Sequence, residues 1–79
     1  MRKSVHTRAY GALLERLVAA RHAAGLTQQE LARKLGRPQS FVAKFEGGER
    51  RIDLVEFLEI TTVLGADPRR IIQAVSHAM

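Results

Sequence analysis

Apolar residues recur at three- and four-residue steps through most of this chain, and each such run is closed by a glycine or opened by a cap residue. Tyr10, Leu14, Leu17, Val18 and Arg21 line one side of a helix spanning about Thr7 to Ala24, which Gly25 ends. A second helix opens on Thr27-Gln28-Gln29-Glu30, a capping box, carries Leu31, Ala32 and Leu35 at helical spacing, and stops at Gly36. Pro38 stands at the start of a third, running to about Glu46. Asp53, with Glu56 at the box position, caps a fourth whose inward stripe is Phe57, Ile60, Thr61 and Leu64, while Leu54, Val55 and Leu58 widen its apolar surface. Gly65 ends that helix, and Asp67-Pro68 begins a fifth that reaches roughly His77, with Ile71, Ile72 and Val75 as its apolar positions. The pattern predicts an all-α bundle of about five helices. Arg21 falls on the apolar side of the first, where an unpaired guanidinium is costly, so it requires a partner.

The third helix divides cleanly by angle. At about 100° per residue, Phe41, Val42 and Phe45 share one side, and Gln39, Ser40, Ala43 and Lys44 share the other. One side locks onto a core. The other presents an amide, a hydroxyl, a methyl and an ammonium, and no acid. Such a set suits base-pair edges in a major groove, where an amide pairs bidentately with adenine, Lys with guanine, and a methyl meets the thymine methyl. A helix, a glycine-containing turn and a second, groove-reading helix make the helix-turn-helix plan.

The run Arg21, Gly25-Leu26-Thr27-Gln28, Leu31-Ala32, Leu35-Gly36, Gln39-Ser40, Val42, Lys44-Phe45-Glu46, Gly48, Arg50 resembles the phage-repressor/Cro (XRE-like) type of helix-turn-helix DNA-binding domain. The similarity covers roughly Tyr10 to Pro68. It implies that Gln39, Ser40 and Lys44, with Ala43, read bases. It implies also that Arg21 pairs with Glu46 and braces the first helix against the reading helix. Gln28, at the positive end of the second helix, is expected on a phosphate oxygen. Arg50 and Arg51, in the glycine-broken loop after Glu46, are expected beside the DNA backbone. Arg37, in the turn, takes either a phosphate or solvent. Phe41, at the edge of the apolar side, is read as packing, with contact to a sugar or a thymine methyl as the alternative. Pro38 departs from the Ser or Thr usual at its position, so a hydroxyl cap is lost there.

Composition narrows the classes further. The 79 residues make one small domain, 1–79, near the size where a single core is only marginally stable, so oligomerisation is expected. Thirteen Lys and Arg against eight Asp and Glu, a net +5, favour a polyanionic partner. With aromatics at 5%, stacking on single-stranded bases is a poor fit. The absence of cysteine excludes a disulfide framework and a cysteine–zinc site. Glu15, Arg16 and Arg21 interrupt the apolar pieces of the first helix, so neither a signal-peptide core nor a membrane span is expected, and a cytoplasmic protein is. His6, His22 and His77 match no metal spacing, and Gly47-Gly48 lacks the surroundings of a phosphate loop. No enzyme, metal or cofactor is expected.

The resemblance and the charge together predict a transcriptional regulator of double-stranded DNA, acting as a homodimer on a palindromic or pseudo-palindromic operator. Ile71, Ile72 and Val75, with Val55 and Leu58, serve either as the dimer interface or as intramolecular core. The basic lead-in 1–7 is either a frayed terminus or an arm that places Arg2 and Lys3 on DNA. Prophage repressor, restriction–modification controller and antitoxin remain open, as does an adaptor that uses the fold chiefly to bind a partner protein such as a toxin.

Overall fold

Local chemistry starts and stops every helix seen in the computed structural model, which describes residues 7–79. The helices are α1 (Arg8–Ala23), α2 (Gln28–Leu35), α3 (Gln39–Glu46), α4 (Leu54–Leu64) and α5 (Pro68–His77), and no strand occurs among the described residues. Arg2, Lys3 and His6 lie outside them. The Thr7 hydroxyl accepts from the Tyr10 N–H at 3.1 Å to cap α1. Reciprocal capping boxes open α2 (Thr27 with Glu30, 3.1 and 2.8 Å) and α4 (Asp53 with Glu56, 2.7 and 2.9 Å). Asp67 caps α5, whose first residue is Pro68. The start of α3 differs from expectation by one residue: Pro38 is the cap itself, extended at φ −63° and ψ 152°, and makes no side-chain cap bond.

The turn between α2 and α3 is held by Gly36 at φ 69°, a left-handed conformation that β-carbon sterics disfavour in other residues. The Gly36 and Arg37 N–H groups then reach the carbonyls of Arg33 and Ala32 at 3.1 and 2.9 Å, closing the end of α2.

The core is built from Leu17, Leu31, Ala32, Val42, Phe45, Phe57 and Ile60, all buried, with α1 packed on α5 and α3, and α2 packed on α3 and α4. Val42 and Phe45 are wholly enclosed, so each contributes about 1.5–3 kcal/mol of apolar burial to anchoring α3. Along α1, Tyr10, Leu17 and Arg21 are buried and Leu14 packs on the core, as expected; Leu13 and Ala20 pack there too, and Val18 does not. A helix wedged against several neighbours buries a broader, shifted arc than one with a single partner, and periodicity alone does not say which.

Of the residues expected either at an interface or in the core, Ile71 takes the core. It is 7% exposed and belongs to the central cluster, where α5 docks on the bundle. Val75 is half-buried against the same cluster. Val55, Leu58 and Ile72 are exposed, and so are Leu54 and Met79.

Candidate nucleic-acid interface

The α3 helix shows the two sides that its sequence demands. Phe41, Val42 and Phe45 are buried, and Gln39, Ser40, Ala43 and Lys44 are all exposed. Among the described residues, no partner engages the side chains of Gln39, Ser40 or Lys44. The outward row therefore has donors and an acceptor unspent, on a helix whose inward row holds it still.

Behind this row, Arg21 and Glu46 form a two-pronged pair: Nε donates to Oε2 at 2.7 Å and Nη2 to Oε1 at 3.0 Å. Their side chains are 10% and 6% exposed. Arg21 Nη1 also donates to the Leu26 carbonyl at 2.9 Å, so one guanidinium ties α1 to the α1–α2 turn and to the last residue of α3. The predicted partner is the one observed.

Gln28 has a partner inside the protein beside its expected role. Its Nε2 donates to Glu46 Oε1 at 2.9 Å, which joins the amide to the Arg21–Glu46 pair through one of its two N–H groups and leaves the other outside that bond. A carboxylate paired with one guanidinium retains lone pairs, and Gln28, the first residue of α2, fills one of them.

Three arginines flank the outward row. Arg37 Nη1 donates to Glu56 Oε2 at 3.3 Å, and Arg50 grips the same carboxylate with both prongs, Nη1 to Oε1 at 3.1 Å and Nη2 to Oε2 at 2.9 Å. Both guanidinium carbons also lie over the Phe41 ring, 4.5 and 4.9 Å from its centre. Phe41 thus packs, as expected, and carries the two cations as well. Arg51 is exposed and stacks over Tyr10 at 4.5 Å, while the Tyr10 hydroxyl accepts from the Ile52 N–H at 3.1 Å and fixes the loop after α3. The Arg50 guanidinium and the Asp53 N–H together hold the Glu56 carboxyl down at about 2, against an ordinary 4.5. The same carboxylate raises the pKa of Arg50.

In the sequence, Glu56 is a capping-box residue and no more. Its arginine partners lie six and nineteen positions away, and no periodicity links those separations. No group of side chains suited to a metal ion occurs among the described residues, and no described helix is long and apolar enough to cross a membrane.

A family described as helix-turn-helix domain matches residues 9–71 of the chain. Among solved structures, an XRE-family like protein from Pseudomonas syringae pv. tomato str. DC3000 superposes with a TM-score of 0.82 at 49% identity, covering 87% of this chain and 84% of that one. The chain belongs to the XRE-like helix-turn-helix family. The restriction–modification controller protein C.AhdI from Aeromonas hydrophila is similar too, with a TM-score of 0.69 at 37% identity over 76% of this chain and 91% of its own. No curated protein matches. As an XRE-like domain the chain is a DNA-binding regulator, and α2 and α3 are its helix-turn-helix.

Proposed function

We propose that this XRE-like domain binds specific double-stranded DNA sites as a homodimer and regulates a nearby promoter. One observation carries the reading: Gln39, Ser40, Ala43 and Lys44 face outward together from a helix pinned by Val42 and Phe45 and braced through Glu46. In this reading α3 enters the major groove, Gln39 and Lys44 pair with base edges, Ser40 adds a hydroxyl contact, and Ala43 meets a thymine methyl. Arg51, Arg50 and Arg37 lie toward the flanking phosphates. At the start of α2, backbone N–H groups and the second N–H of the Gln28 amide serve a phosphate oxygen, while the first stays on Glu46.

One domain spans too few base pairs for genomic specificity, so two copies are required. Val55, Leu58 and Ile72 supply the interface, joined by Leu54, which lines one apolar groove with Ile72 and Val75. Similarity to a restriction–modification controller favours a controller at its own promoter among the regulatory contexts. The same exposed apolar residues also fit a partner protein, which keeps the adaptor or antitoxin reading as the alternative.

Selection of bound sites from random duplex DNA tests the proposal. The expected outcome is an enriched pseudo-palindrome whose half-sites lie about 34–36 Å apart along the helix axis. No enrichment and no duplex binding would overturn it.

A further inference from the structure

Glu56 makes more contacts than its place in α4 requires. A capping box uses one carboxylate oxygen on the cap residue's N–H, and Glu30 in α2 does that and nothing else, with Oε1 on the Thr27 N–H at 2.8 Å. Glu56 does the same through Oε1 on the Asp53 N–H at 2.9 Å. In addition it receives three guanidinium hydrogen bonds, two from Arg50 and one from Arg37. Unlike Glu30, it is buried, at 8% exposure.

The two arginines bracket the reading helix. Arg37 stands two residues before the first residue of α3, and Arg50 four residues after its last. One carboxylate on α4 therefore clips both ends of α3. Phe41, a residue of α3 itself, lies beneath both guanidiniums. Each guanidinium keeps an exposed part, with side chains 34% and 43% open to solvent. Free arginine side chains lose considerable rotamer freedom on meeting a phosphate. Arginines already fixed against a carboxylate and a ring have lost that freedom before DNA arrives.

We infer that Glu56 is a positioning residue for sequence-specific DNA binding, holding Arg37 and Arg50 at the two ends of α3 so that phosphate contacts and base contacts are made in one register. The inference rests on the DNA-binding reading above. It differs from a charge effect in sign: Glu56 is negative, so its removal makes the surface more attractive to any polyanion. It differs from a stability effect as well, because unfolding lowers all binding alike.

Glu56→Gln tests it, since the amide retains an oxygen for the Asp53 N–H but not the ionic grip on the arginines. Affinity of the full chain is measured for the duplex recovered by selection and for a mixed-sequence duplex of equal length, with a thermal melt to set a temperature at which the variant is folded. The expected result is a fall of about tenfold for the selected duplex and an unchanged or tighter complex with mixed sequence. Arg50→Lys, which retains the charge and loses the fork, should reproduce that loss and serves if Glu56→Gln does not fold. Both affinities moving together, or neither moving, overturns the inference. A wild-type chain that binds every duplex alike overturns it while DNA binding stands; one that binds no duplex removes the DNA-binding reading itself.

Discussion

Replacing Arg21 with Ala is the sharpest test of how this domain holds its reading helix. The guanidinium makes three hydrogen bonds, two to Glu46 and one to the Leu26 carbonyl, and both charged side chains are nearly enclosed at 10% and 6% exposure. Removing one partner of such a pair costs about 3–5 kcal/mol, because the other charge stays buried and unmatched. Two features move the expected value to the low end. Gln28 Nε2 continues to donate to Glu46, and a shallow groove bordered by Leu14, Val18 and His22 opens beside that carboxylate and admits water. About 3 kcal/mol is therefore expected, against a total of about 4–12 kcal/mol for a domain of 79 residues. With an unfolding entropy of about 0.17 kcal/mol per kelvin at this length, the midpoint of a calorimetric melt should fall by about 18 °C. A double variant, Arg21→Met with Glu46→Leu, removes both charges and keeps the volume. It should recover much of the loss and, in a cycle with the Arg21→Met and Glu46→Leu single variants, give a coupling energy of about 2–3 kcal/mol. A midpoint shift below about 5 °C for the single variant, or strict additivity in the double one, would refute the claim that this pair braces α3.

Four other outcomes are expected. Because Glu56 is held at about 2 when folded against an ordinary 4.5, its stabilising contribution is complete above that ordinary value and is lost as pH falls through the interval toward 2; melts from neutral pH downward should show wild type and Glu56→Gln converging there. Lys44→Glu, at an exposed site, should leave the melt within about 0.5 kcal/mol of wild type and abolish selected-duplex binding in a mobility-shift titration; an adaptor would keep its protein partner. Log affinity plotted against log salt should fall with a slope of about −0.9 per phosphate neutralised, and Arg51→Ala should make it shallower by about that amount; a flat plot contradicts backbone contact. Val55→Lys with Leu58→Lys, at residues 64% and 42% exposed, should yield a folded monomer by sedimentation and weaken operator binding, whereas an unchanged oligomeric state would place the interface elsewhere.

Much of this protein was determined by local residue order alone. Caps at Thr7, Thr27, Asp53 and Asp67 and left-handed stops at Gly36 and Gly65 set the helix limits, since each acts within one turn of chain. The two-sided character of α3 followed from angle, and the Arg21–Glu46 pair from the family resemblance. What required tertiary structure was every arrangement that joins separate elements. Gln28 turned toward Glu46, Leu13 packed on the core where Val18 did not, and Ile71 went inward while Ile72 stayed out. Glu56, which as sequence reads only as a capping residue, gathered Arg37 and Arg50 over Phe41. The physical reason is range: hydrogen bonds along one turn are set by neighbours in the chain, whereas a buried carboxylate chooses partners by the angles at which whole helices cross.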